Sequence, residues 1–145
     1  MHIKIAHGFQ LHIYGFGSTA ESKDYAGTAF KLSGKMWEVV KTRSIKNKGM
    51  NIWVYEPGDK VFAGVELENP DVRLINGLEE KKVYLDKYAY CKHIGPYHLI
   101  KRVGQNMIKV LARQGMEVML PYVEIYGHWT SDENELETEL VMHVK

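Results

Sequence analysis

One order of elements occurs twice in this 145-residue chain. Each half reads strand, helix, strand, turn, strand. In the first half, His2 to Gly15 alternates loosely and predicts one or two short strands, and GFGSTAESKD carries turn and loop chemistry. From Tyr25 to about Lys46, Ala29, Leu32, Met36, Trp37 and Val40 recur at three- and four-residue steps, the spacing of one helix face. Asn47 to Gly49 reads as the helix stop. MNIWVY, EPGDK and VFAGVELE then spell a strand, a turn holding Pro57 and Gly58, and a returning strand. NPDVRLINGLEEKK is a linker. In the second half VYLDKYAYCKHI predicts a strand, and Gly95-Pro96 starts a helix with proline at its first position. Ile100, Val103, Met107, Val110 and Leu111 form the apolar stripe of that helix, and Gly115 closes it. YVEIYGHW predicts the next strand, an acidic loop follows, and ELETELVMHV is the last strand.

A shift of 71 residues lays Met36 on Met107, Val39 on Val110, Ile52 on Val123, Val54 on Ile125 and Tyr55 on Tyr126. Shared secondary structure alone produces many such apolar matches. The agreement in element order is what favours a duplicated unit, about residues 1–70 and 80–145, within a single domain spanning 1–145. Under the same shift Glu124 falls on Trp53.

Composition narrows the class. Hydrophobic residues make up 45% and charged residues 26%, the proportions of an ordinary globular domain. The formal charge of +1 gives no support for a dedicated nucleic-acid binder, which should be clearly basic. The basic run Lys35 to Lys48 and the acidic run Asp132 to Glu139 read as solvated surface. One cysteine, Cys91, excludes an internal disulfide. It has no metal partner at zinc spacing, so no metal site is expected. No apolar run approaches the ~18 residues of a membrane span, and the N-terminus lacks a signal-peptide layout. The expectation is a soluble cytoplasmic protein without membrane contact.

Strand alternation sorts the side chains. Ile52 and Val54 share a face, as do Val123 and Ile125, and these branched residues suit packing against the two helices. Trp53, Tyr55, Glu124, Tyr126 and His128 then point the other way. On the final strand Glu137, Glu139, Val141 and His143 share one face, opposite Leu136, Thr138, Leu140, Met142 and Val144. One side of the sheet thus combines aromatic rings with carboxylates, away from the helices. A carboxyl among such residues is costly unless satisfied. Tyrosine hydroxyls or a lysine in a closed polar cluster would satisfy Glu124. So would a cation held by the carboxylate and aromatic faces of a small-molecule cleft.

YAYCKHIGPYHLI, PYVEIYGHW and LETELVMHV, in that order, resemble the GyrI-like family. That family includes the effector-binding domain of the multidrug-sensing regulator BmrR and the C-terminal domains of some AraC-type regulators. The matching positions are Tyr88, Ala89, His93, Gly95, Pro96, Tyr97, Glu124, Tyr126, Thr138 and Glu139. The match is good over residues 84–145. Over the first half it rests on element order, WVY and VFAGVELE. The resemblance implies an α+β fold in which duplicated strand-helix-strand-strand units pair into one antiparallel sheet. Combined with the alternation, it puts two helices on one face and a ligand cleft on the other. It also implies that Glu124 lies in the cleft and faces cationic, aromatic ligands. The helix-turn-helix that precedes this module in BmrR-type regulators has no counterpart, so direct DNA binding is not expected.

The leading expectation is a binding module for lipophilic, cationic or planar compounds, with no cofactor. Its ligand-binding residues are Glu124, Tyr126, Trp53, Tyr55, Tyr90 and Glu139, with Trp37 reaching either the cleft rim or the core. The alternative is a GyrI-like hydrolase that opens cyclopropane rings of cytotoxic natural products. Carboxyls among aromatic rings can serve as general acids or orient a water, and Glu124, acting on water, and Glu139 would divide those roles with Tyr126 assisting. A protein partner, gyrase or a separate regulator, is a third class, on which the residues are silent, as they are on oligomeric state. The similar fold of the SOUL haem-binding family raises haem, but no histidine lies in an axial-ligand motif. His93 reads as a structural hydrogen-bonding group at the strand-to-helix turn.

Overall fold

The computed structural model describes residues 1–69 and 77–145. The middle of the NPDVRLINGLEEKK linker lies outside them. Among the described residues there are six strands and two α-helices. The first half contributes β1 (Lys4–Thr19), α1 (Tyr25–Thr42), β2 (Asn51–Glu56) and β3 (Lys60–Val65). The second contributes β4 (Glu79–Ile94), α2 (Ile100–Arg113), β5 (Val118–Tyr126) and β6 (Glu137–Val144).

The strands pair antiparallel in the order β1-β3-β2-β5-β6-β4, and β4 pairs with β1 to close a barrel. The first strand is a single 16-residue element rather than one or two short ones, and it runs through Gly15 and Gly17 to Thr19. Those glycines, read in the sequence as turn signals, serve strand contact instead: a Cβ on Gly15 would stand 1.8 Å from the carbonyl oxygen of Ala63 on β3. β4 likewise begins at Glu79, inside the expected linker.

Closure gives the sheet an interior of its own. Leu11, Ile13, Ile52, Val54, Phe62, Val83, Leu85, Val123 and Val141, drawn from all six strands, form one buried cluster there. Fully burying such a side chain is worth about 1.5–3 kcal/mol. Both helices pack on the outside. Asp24 caps α1 by accepting from the Gly27 N–H at 3.1 Å. The helix ends at Thr42, earlier than its pattern suggests, because Ser44 turns left-handed (φ 51°) and the Ile45 N–H reaches back to the Val40 oxygen at 2.9 Å. Met36 and Val40 of α1 pack on Tyr14 and Phe16 of β1 and Val65 of β3. Ile100, Met107 and Leu111 of α2 pack on Ala89 and Cys91 of β4 and on Leu140, Met142 and Val144 of β6.

This arrangement corrects the expected layering. Ile52, Val54 and Val123 face the barrel interior, not the helices. The cleft is not on the face opposite the helices but on the same outer surface, between them. The physical reason is closure: with the branched residues used inside, the helices must cover the outside. Each covers strands of its own half, so the outer face of the β2–β5 ladder stays open.

Candidate functional site

The β2–β5 ladder joins the two halves. Tyr55 pairs with Tyr122, Trp53 with Glu124 and Asn51 with Tyr126. Cross-strand partners share a face, so all six project outward into the gap between the helices. They form the floor of a cavity of about 1260 Å³. Tyr25, Phe30 and Ser33 wall it from the α1 side, and Ile100, Gln105 and Ile108 from α2.

Glu124 sits in that floor, buried to 8% exposure. Its Oε1 accepts hydrogen bonds from the hydroxyls of Tyr126 at 2.6 Å and Tyr55 at 3.5 Å, and its Oε2 accepts from Tyr122 at 2.7 Å. Among the described residues no lysine, arginine or histidine forms an ion pair with it. The three hydroxyls are in turn bound to their role. Burial foremost, then the neighbouring carboxylate, pushes the pKa of Tyr55, Tyr122 and Tyr126 well above the ordinary tyrosine range, so each remains a protonated donor.

Aromatic rings surround this centre. Tyr55 stacks on Tyr122 with centroids 5.8 Å apart, and Trp53 meets Tyr126 edge-on at 4.8 Å. At the rim Tyr25 stands edge-on to Tyr55 at 6.4 Å, and Tyr97 edge-on to Tyr126 at 5.5 Å. The Tyr25 hydroxyl donates to Asp59 at 2.6 Å, which ties the start of α1 to the β2–β3 turn. Lys23 and Lys101 also reach the rim.

Four of the expected site residues, Glu124, Tyr126, Trp53 and Tyr55, are therefore brought together. Three are not. Glu139 is the cross-strand partner of Ile125 and Tyr90 that of Val141, which puts both on the inner face of the barrel sheet. There the Tyr90 hydroxyl donates to Glu139 at 2.6 Å. Trp37 packs against the cluster of Tyr14, Phe16, Met36 and Val40. The alternation that placed Glu139 with Glu124 failed because the two strands' faces were matched without their register: Glu124 pairs with Leu140.

Sequence reasoning missed Tyr122, Tyr25 and Tyr97 as members of the site. The signal for Tyr122 was present, since it lies two residues before Glu124 and alternation puts both on one face. Tyr25 and Tyr97 each open a helical segment and carry no such signal. At the turn after β4, Gly95 takes φ 142°, which favours glycine, and the His93 Nε2 donates to the Pro96 oxygen at 3.1 Å. Among the described residues no group of three or more His, Cys, Asp or Glu side chains is arranged to hold a metal ion. Nor is any helix among them long and apolar enough to cross a membrane.

The model of the GyrI-like small molecule binding domain matches residues 34–145, and the chain belongs to that family. No curated protein matches it. Among solved structures, it is similar to the C-terminal domain of EcmrR, with 14% identity and a TM-score of 0.67 over 100% of this chain and 99% of that one. It is also similar to SAV2435 bound to tetraphenylphosphonium, with 15% identity and a TM-score of 0.65 over 100% of this chain and 94% of that one. A hydrolase from Listeria innocua matches with 9% identity and a TM-score of 0.58, over 99% of this chain and 91% of that one. At these identities the shared property is the fold.

Proposed function

We propose that this GyrI-like domain binds lipophilic organic cations, with Glu124 as the fixed negative charge and the surrounding rings as walls. The observation that carries this reading is a buried carboxylate without a cationic partner among the described residues, at the floor of an aromatic cavity. Three hydroxyls solvate the charge but do not neutralise it. A cation entering between the rings gains from their faces and from a carboxylate in a low-dielectric site. The cavity exceeds the ~300–1000 Å³ usual for a drug-sized ligand, which suits bulky compounds. The tetraphenylphosphonium complex of SAV2435, a protein of the same fold, agrees with that chemistry.

We also read the two halves as repeated units. Trp53 and Glu124, equated by the 71-residue shift, are direct partners, Ile52 pairs with Ile125 and Val54 with Val123. The register is thus symmetric about the Trp53–Glu124 pair, as two related units meeting at a two-fold axis would give.

Binding is favoured over hydrolysis by the same geometry. Both Glu124 oxygens already accept hydrogen bonds from tyrosine hydroxyls, and Glu139, the second carboxyl of a two-carboxylate scheme, lies on the other face of the sheet. The test is a titration with tetraphenylphosphonium and with neutral triphenylphosphine oxide, followed by calorimetry. Saturable binding of the cation, weakened at least about tenfold in Glu124→Gln, is expected. Equal affinity for the two compounds, or an unchanged affinity in the variant, removes charge recognition.

A further inference from the structure

The aromatic groups of the cavity fall into two sets, one on each side of Glu124. Along the β2–β5 ladder the Tyr55–Tyr122 pair lies on one side of the Trp53–Glu124 pair, and Tyr126 on the other. Tyr25 meets Tyr55 edge-on at 85°, and Tyr97 meets Tyr126 edge-on at 88°. The first set is therefore Tyr25, Tyr55 and Tyr122. The second is Tyr97 and Tyr126, joined by Trp53, whose indole meets Tyr126 edge-on while packing, like Tyr55, against Ala20, Ala29 and Val61. Tyr55 and Tyr126, equivalent under the 71-residue shift, direct their hydroxyls to the same oxygen, Glu124 Oε1, from opposite sides. A single carboxylate thus stands between two sets of rings in one cavity, each set lining a lobe of the proposed site.

Resting on the cation-binding reading, we infer that the site selects cations whose charge lies between two flat groups, over isomers whose charge lies at one end. In the first kind each lobe receives one aromatic group while the charge stays over Glu124. In the second, a ligand with its charge at Glu124 can fill only one lobe, and the other stays wet. Ring contacts contribute separately from charge, so the difference appears at equal charge and equal composition. Lys23, Lys101 and Asp59 also line the cavity.

Dibenzyldimethylammonium and (para-phenylbenzyl)trimethylammonium are isomers of equal charge, one with the charge between its rings and the other with it at one end, and both lack N–H donors. Calorimetric titration of the wild-type chain is expected to give roughly tenfold tighter binding of the dibenzyl compound, as one additional aromatic group in a matched lobe supplies. Tyr25→Ala and Tyr97→Ala should each erode that preference severalfold. Neither should weaken the end-charged isomer as much, because it can use the intact lobe. Both tyrosines are more than a third exposed, at 37% and 38%, so truncation is compatible with folding, and an unchanged circular-dichroism spectrum checks it. Where a spectrum changes, Tyr→Leu replaces Tyr→Ala. Equal affinity for the isomers overturns the two-lobe inference, as does an equal loss for both in the two variants. Failure of both isomers to bind, or binding of both unaffected by Glu124→Gln, instead overturns the cation-binding reading beneath it.

Discussion

Trp53 and Glu124 face each other across the β2–β5 ladder as direct partners. The position is the centre of one of the two ladders along which the halves meet, the other being β1–β4. A symmetric seam would place two like residues there, and two carboxylates side by side would repel while two indoles would offer no charge. An indole beside a carboxylate gives the site one charge and an adjacent ring. Among the described residues Trp53 Nε1 has no hydrogen-bond partner, so the indole is held by packing, edge-on to Tyr126 and against Ala20, Ala29 and Val61, rather than by a polar contact.

The carboxylate depends on its hydroxyl donors. Tyr126→Phe and Tyr122→Phe each remove one short hydrogen bond to a buried charge. Each is expected to lower unfolding free energy by about 1–3 kcal/mol, read from urea denaturation. Tyr55, whose hydroxyl stands at 3.5 Å, should cost less on the same substitution. An equal or larger loss for Tyr55→Phe would mean that the three donors do not rank by distance.

The same hydroxyls predict an alkaline limit. Their folded-state pKa values are raised above the unfolded tyrosine value of about 10. Below that value both states hold the proton and the stabilising contribution is complete. As pH rises past it, unfolded tyrosines release protons that the folded chain retains, so unfolding is drawn forward. Stability should therefore fall with pH above about 10, and the fall should be shallower in Tyr122→Phe. Urea midpoints measured from pH 8 to 11, by steps, check this as an approximate window around the tyrosine value. Parallel slopes for the two proteins would show that Tyr122 does not contribute.

Glu139 separates the two sides of the sheet. Bound to the Tyr90 hydroxyl on the inner face, it does not line the cavity. Glu139→Gln should leave tetraphenylphosphonium affinity within about twofold, while Glu124→Gln weakens it at least about tenfold. Comparable losses would place Glu139 within electrostatic reach of the ligand.

The fate of these two glutamates shows what was legible in the sequence. Periodicity located both helices and the β2–β3 hairpin, because Met36, Val40, Met107 and Leu111 repeat at helix spacing and Pro57-Gly58 marks the turn. It also grouped Trp53, Tyr55, Glu124 and Tyr126. Alternation separates two faces but does not say which is inside. That depends on β1 pairing with β4, as in Leu11 with Val83, a contact between residues far apart in the chain that no local pattern encodes. Without closure, alternation assigns Ile52 and Val54 to the helices and the cleft to the opposite face. Register has the same character: only the pairing of Glu124 with Leu140 decides that Glu139 faces away.

Trp37 and Trp53 offer a spectroscopic check on this assignment. Trp37, on α1, packs against the cluster of Tyr14, Phe16 and Met36, whereas Trp53 and the 75% exposed Trp129 line the cavity. A ligand over Glu124 contacts the neighbouring indole of Trp53 and leaves Trp37 untouched. Trp37→Phe should therefore preserve the ligand-induced change in emission, and Trp53→Phe should remove most of it. Trp53→Phe keeps a ring but loses the best cation-binding face, so affinity should fall by a factor of about two to five. A titration in which Trp37→Phe abolishes the signal would instead move the ligand to the α1–β1 side of the barrel.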